Sequence, residues 1–244
     1  MNKQNTLFLD FDGVLFNTLK EAYLICRSAF SDINTDILID KKKYQQFYKF
    51  KFLVYNSWQY YYLMKTLLDE DNVTNEEIIN KYNFYLMNRD TNAEKEFDEK
   101  YYSTRKYLKD NCFDFWDSLE EPFDFFFEVK KLYDEKKIDI IIVSKKDFNS
   151  IKYRLSQYGL NLFDNKIFAK EQLQNYPNKS DFISEYMKNN NIKKAIFVDD
   201  NSNNLRPCKD IVGLETLLAG WGNIAIDETG FTCYDIMSKI KTLS

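Results

Sequence analysis

The 244-residue chain contains no histidine. That absence excludes Ser-His-Asp and Cys-His mechanisms, the H-E-x-x-H zinc site and histidine general bases. Acid–base chemistry must then come from carboxylates, Lys, Tyr or Cys. Cysteine is sparse: Cys26, Cys112, Cys208 and Cys233 lie far apart with no metal-ligand spacing. They read as reduced, mostly buried thiols of a cytoplasmic protein. Positive charge is not in excess, since 34 Lys and Arg stand against 38 Asp and Glu for a net charge of -4. Nucleic acid is therefore not an expected partner. No apolar run approaches 18 residues, so no membrane span is expected. The first apolar run follows Lys3 but is broken by Asp10 and Asp12, which argues against a signal peptide. Proline and glycine are missing from residues 17–110, which suits a helical bundle.

What is present is the composition of a soluble globular chain, 44% hydrophobic and 30% charged. Its length allows a core domain with an insert. Residues 6–15 read as a buried strand. From Asn17 to about Asp110 apolar residues recur at helical spacing. Tyr44, Tyr48, Phe52, Tyr55, Trp58 and Tyr62 advance by three or four and would share one helix face. Such a stripe is more often a bundle's own core than a substrate platform. Thr74-Asn75-Glu76-Glu77 predicts a capping box opening a helix to about Met87. A further helix is predicted over Asn92–Lys109.

After Pro122 the pattern alternates between strands and helices. A helix is predicted from Pro122 to Lys136, then a strand over 138–144. A helix follows from Phe148 to Tyr158, closed by Gly159. A short strand near 166–168 precedes a helix from Lys179 to Asn189. Strands over 194–198 and 214–218 complete the pattern. Alternation of this kind predicts an α/β fold, a doubly wound parallel sheet with helices on both faces. No internal repeat or low-complexity tract is visible.

Three of these strands end in polar residues: Asp10 and Asp12, Ser144, and Asp199-Asp200. Ligands of parallel sheets bind outside the carboxyl ends of the strands. Asp10-Phe11-Asp12-Gly13 places two carboxylates at such an end, with a glycine to turn the chain. Buried carboxylates require a cation or a proton.

The order Asp10-x-Asp12, Ser144, Lys179, Asp199-Asp200 resembles the four motifs of the haloacid dehalogenase superfamily. These aspartate-nucleophile phosphatases have a Rossmann-type core. The resemblance covers residues 6–16 and about 120–220. It implies a core of residues 1–16 and 116–244 and a helical cap of residues 17–115. It implies Asp10 as the nucleophile and Asp12 as the acid that protonates the leaving alcohol and later activates water. Ser144 and Lys179 would bind phosphoryl oxygens. The implied cofactor is Mg²⁺, with Asp10, the backbone carbonyl of Asp12 and Asp200 as ligands and Asp199 beside them. Dehalogenating relatives lack the second Asp, so Asp12 disfavours dehalogenation. The family often carries a further Asp four residues after the metal Asp; here that position is Asn204, which has no charge.

Other positions have a plainer reading next to the functional one. Lys145 and Lys146 could touch phosphate but read first as a solvated pair. Arg105 could clamp an anionic substrate from the cap, or be a surface arginine. One member of Asp199-Asp200 could cap a helix. The expected substrate is a small phosphorylated metabolite, of unspecified identity. A phosphomutase using the same residues, or a binding module without catalysis, would carry the same motifs. Oligomeric state is not legible.

Overall fold

The computed structural model describes residues 5–31, 40–69 and 74–242; the N-terminal stretch with Lys3 lies outside them. Among the described residues there are seven strands: β1 Asn5–Leu9, β2 Phe16–Asn17, β3 Glu121–Pro122, β4 Ile138–Val143, β5 Ile167–Phe168, β6 Ala195–Asp199 and β7 Leu214–Leu218. Five form one sheet in the order β5-β4-β1-β6-β7, and every pairing in it is parallel. The strands nearest the centre are apolar on both sides, as a sheet covered on both faces requires. Leu7 and Leu9 pack with Ile140, Ile142, Ile196 and Val198 on one face. Phe8 packs with Ile141, Val143, Ala195 and Phe197 on the other.

β2 pairs antiparallel with β3 through Phe16↔Pro122 and Asn17↔Glu121. The chain therefore leaves and re-enters the α/β unit along adjacent strands. Between them, Thr18–Glu120 forms a second compact unit. Its helices are α1 Leu19–Ser31, α2 Lys41–Phe50, α3 Gln59–Asp69, α4 Asn75–Met87, α5 Thr91–Asn111 and α6 Phe113–Asp117. The division falls at Glu120 rather than near residue 115. The reason is α6, whose buried Trp116 donates from Nε1 to Glu21 of α1 at 2.6 Å.

The aromatic stripe of residues 44–62 is not one helix. α2 stops at Phe50, a 3₁₀ turn covers Lys51–Leu53, and α3 starts at Gln59. The Gln59 side chain stabilises the break by accepting from the backbone N–H groups of Tyr55 and Asn56, at 2.6 and 2.9 Å. Of the stripe, Tyr62 is buried in the unit's core and Tyr44, Phe52 and Trp58 pack against it, beside the neighbouring Phe47 and Tyr60, whereas Tyr48 is exposed. Stacked pairs such as Phe47–Tyr60, 5.7 Å apart, add about 0.5–1.5 kcal/mol each beyond area burial. The stripe serves the bundle. Thr74 and Glu77 form the expected capping box on α4.

The α/β unit contributes α7 Asp124–Asp134, α8 Phe148–Gln157, α9 Lys170–Leu173, α10 Lys179–Asn189, α11 Ser202–Leu205 and α12 Cys233–Thr242. α7 is shorter than the predicted 122–136 because Phe123 remains extended and its N–H donates to the Leu15 carbonyl at 2.9 Å. Side chains of α7, α8 and α12 cover one sheet face, and those of α10 the other. No helix among the described residues is long and apolar enough to cross a membrane.

Candidate active site

Strand register assembles the site. Leu9 of β1 lies level with Ile142 of β4 and Val198 of β6. Asp10, Ser144 and Asp199-Asp200 therefore leave the sheet at the same edge. β1 ends at Leu9, earlier than the predicted 6–15, because the chain turns tightly after Asp10. The N–H groups of Leu15 and Phe16 both donate to the Phe11 carbonyl, and Gly13 donates to the Phe16 carbonyl. Gly13 has φ 81°, and a Cβ there would lie 1.8 Å from Asp200 Oδ2. A Cβ on Gly222 would lie 2.3 Å from Asp200 Cβ. Both glycines are required by the close approach of Asp200, quite apart from backbone freedom.

Lys179, the first residue of α10, joins two of the carboxylates. Its buried Nζ lies 3.0 Å from Asp10 Oδ1 and 2.7 Å from Asp199 Oδ2. Asp10 Oδ1 also accepts from the Phe11 N–H at 2.8 Å. Burial pushes the Asp10 carboxyl up to about 7; Lys179 opposes the rise, and Asp199, Asp200 and Asp12 add to it. Burial works against the Lys179 ammonium, but Asp10 and Asp199 outweigh it and hold its pKa above the ordinary lysine value.

The two neighbouring aspartates differ in their partners. Asp199 accepts from the Asn201 N–H at 2.8 Å, from Asn204 Nδ2 on both oxygens at 3.1 Å, and from Lys179. Asp200 accepts on Oδ2 from both the backbone N–H and Nδ2 of Asn223, each at 2.8 Å. Asp199 is thus enclosed by donors on both oxygens, while the Asn223 clamp engages one oxygen of Asp200.

Asp12 stands apart from this cluster, with its carboxylate on Lys146 Nζ at 3.1 Å. Ser144 is buried, and its Oγ accepts from the Lys146 N–H at 3.4 Å. Lys145 is exposed; local crowding and then the charge of Lys179 lower its pKa, against the pull of Asp10 and Asp199. Lys145 and Lys146 are therefore not a solvated pair: Lys146 is buried. Arg105 belongs to the helical unit, where its Nε lies 2.8 Å from Glu21 Oε1 in a largely buried ion pair. That pair commits the guanidinium and gives the arginine a structural place in the bundle.

Sequence reasoning missed Asn223 and read Lys146 as half of a solvated pair. Nothing local distinguishes Asn223, whose partner is 23 residues away. Asn204 was visible as a departure from the family pattern, but its attachment to Asp199 was not.

One oxygen from each of Asp10, Asp199 and Asp200 lies within 4.8 Å of the others, and all three residues are buried. Burial first, and then the neighbouring carboxylates, raise the pKa of Asp10. A hard divalent cation with oxygen ligands fits this donor set.

No protein-family model and no curated relative matches the chain. Solved structures do resemble it. A predicted phosphatase from Clostridium acetobutylicum matches 98% of this chain and 99% of its own, at 16% identity and a TM-score of 0.62. A predicted phosphoglycolate phosphatase from Haemophilus somnus gives the same coverage at 15% identity and a TM-score of 0.59. A haloacid dehalogenase-like hydrolase from Streptococcus pneumoniae matches over the same shares at 15% identity and a TM-score of 0.55. At these identities the likeness is one of fold.

Proposed function

We propose that this chain, which has the haloacid dehalogenase fold, is a magnesium-dependent phosphohydrolase acting on a small phosphorylated metabolite. The observation that carries the reading is the Asp10–Lys179–Asp199 bridge beside Asp200 at the strand ends. It would combine a nucleophile, a phosphoryl-binding cation and cation-binding carboxylates in one buried cluster. The fold shared with solved phosphatases supports the same reading.

In this reading the Asp10 carboxylate attacks phosphorus. The ester oxygen leaves with a proton from Asp12, and an aspartyl phosphate remains on Asp10. Asp12, now a carboxylate, takes a proton from water as that water attacks the aspartyl phosphate. Inorganic phosphate leaves and Asp10 is restored. Ser144 and Lys179 bind the phosphoryl oxygens, and Asp199 holds Lys179 in place. Mg²⁺ on Asp10, Asp200 and the backbone carbonyl of Asp12 would supply charge stabilisation to the phosphoryl group.

Phosphate release from a panel of phosphorylated metabolites in Mg²⁺ tests this function. Phosphoglycolate belongs in the panel because the Haemophilus somnus neighbour carries that description. Release that EDTA abolishes and Mg²⁺ restores is the expected result. No release from any ester overturns the reading. Interconversion of phosphorylated isomers without net release would make the protein a mutase instead.

A further inference from the structure

We infer that Lys146 is a positioning residue for Asp12, holding one carboxylate oxygen so that the other faces the leaving group. This rests on the phosphohydrolase reading and extends it to a residue outside the four motifs.

The geometry is asymmetric. The Lys146 side chain is 4% exposed and that of Asp12 is 38% exposed. A buried ammonium therefore anchors a carboxylate that remains open to its surroundings. The contact uses Asp12 Oδ1; among the described residues Oδ2 accepts no hydrogen bond. A group that must give a proton to an ester oxygen requires this arrangement, one oxygen held and one accessible.

Lys146 is itself held at several points. Its N–H donates to Ser144 Oγ at 3.4 Å. Its carbonyl accepts from the Lys170 N–H at 3.0 Å, at the start of α9. Its ammonium lies 5.6 Å from the centroid of the buried Phe11 ring, and Phe11 stacks on Phe16 at 4.7 Å. A lysine kept only for solubility would not be buried, tied through its backbone and placed on the single acid that flanks the nucleophile. A lysine that gripped phosphate directly would point toward Lys179 and Asp10. The Lys146 ammonium contacts Asp12 Oδ1.

Leaving-group dependence separates these roles. The variants are Lys146→Met, Lys146→Arg, Asp12→Asn and the double variant Asp12→Asn/Lys146→Met. The probes are p-nitrophenyl phosphate, whose leaving group needs no proton, and glycerol phosphate, whose leaving group does. Lys146→Met is expected to lose about 10²-fold in kcat on glycerol phosphate and far less on p-nitrophenyl phosphate, at the low end of what a general acid contributes. Lys146→Arg should recover part of that loss. The double variant should be no slower on glycerol phosphate than Asp12→Asn alone, because both changes disable one group. If Lys146→Met does not fold, Lys146→Gln replaces it under the same criterion. Equal loss on both esters, a rise in KM alone, losses that add in the double variant, or no loss at all would each overturn the assignment. A wild-type protein inactive in Mg²⁺ on both esters and on every ester of the metabolite panel would instead remove the phosphohydrolase reading itself.

Discussion

The two units of this protein bury charge in opposite ways. In the helical unit three buried charged side chains, Glu21, Lys43 and Glu94, each have a partner of their own close by. Glu21 is met by Arg105 and Trp116. Glu94 accepts from Tyr62 Oη at 2.7 Å and from Arg89 at 2.6 and 2.8 Å. Lys43 donates to the Leu67 carbonyl. In the α/β unit, Asp10, Asp199 and Asp200 crowd together, and Lys179 bridges the first two. The titration behaviour follows. Hydrogen bonds from Arg89 hold the Glu94 carboxyl below its usual range, whereas burial and neighbouring carboxylates push Asp10 up to about 7. A satisfied buried charge is architecture. Like charges crowded at strand ends describe a place for a ligand.

Substitution of the proposed nucleophile would break that contrast most severely. Asp10→Asn should lower turnover by about 10⁴-fold or more while leaving the fold intact, since the amide matches the carboxylate in size but cannot attack phosphorus. Circular dichroism and phosphate release on the same sample check both halves. Activity within about tenfold of wild type would remove Asp10 from its role.

Asp199 and Asp200 sharpen the comparison inside the α/β unit. Asp200→Ala should raise the Mg²⁺ concentration needed for activity, visible also as weaker Mg²⁺ binding by calorimetry. Asp199→Ala should chiefly lower stability, by about 3 kcal/mol, because it removes a partner from the buried Lys179. If Asp199→Ala proves the stronger effect on Mg²⁺, the cation is held by the other aspartate of the pair.

Glu21→Gln tests the architectural side. It strips the charge that holds Arg105 and Trp116, and should cost about 3 kcal/mol in denaturant unfolding. Phosphate release per folded molecule should not fall with it. A specific loss of activity would mean that this buried pair belongs to the chemistry after all.

The smallest effect expected is on pH dependence. The folded Asp10 keeps its proton to about pH 7, while the unfolded chain releases it near the ordinary carboxylate value. The stabilising contribution is therefore complete at low pH and is lost as pH rises toward 7. In EDTA, the midpoint of thermal unfolding should fall across that interval in wild type and less so in Asp10→Asn. Parallel pH profiles of the two proteins would show that Asp10 is not the group responsible.

Much of the architecture was legible because it depends on local pattern. Short apolar runs at 140–143 and 195–198, set between helical segments, read as strands buried on both faces. Thr74 and Glu77 announce the start of α4 in four residues. The break at 51–58 was not legible, because it depends on Gln59 turning back to bind Tyr55 and Asn56, a choice that aromatic spacing does not encode. The same limit applied to Arg105. Its neighbours in sequence are polar, so it read as a surface or substrate residue, and only α1 packing on α5 supplies Glu21.

The sequence alone determined which residues end the strands, and so which acids and serine stand at one edge of the sheet. A strand's polar last residue is a local fact, and parallel register brings such ends together. Only the tertiary structure decided how those charges are shared. Asp12 meets Lys146 across 134 positions, Asp200 meets Asn223 across 23, and Asp199 takes Lys179 across 20. A carboxylate's partner is whichever donor the fold brings within about 3 Å, and no local pattern in the chain specifies that distance.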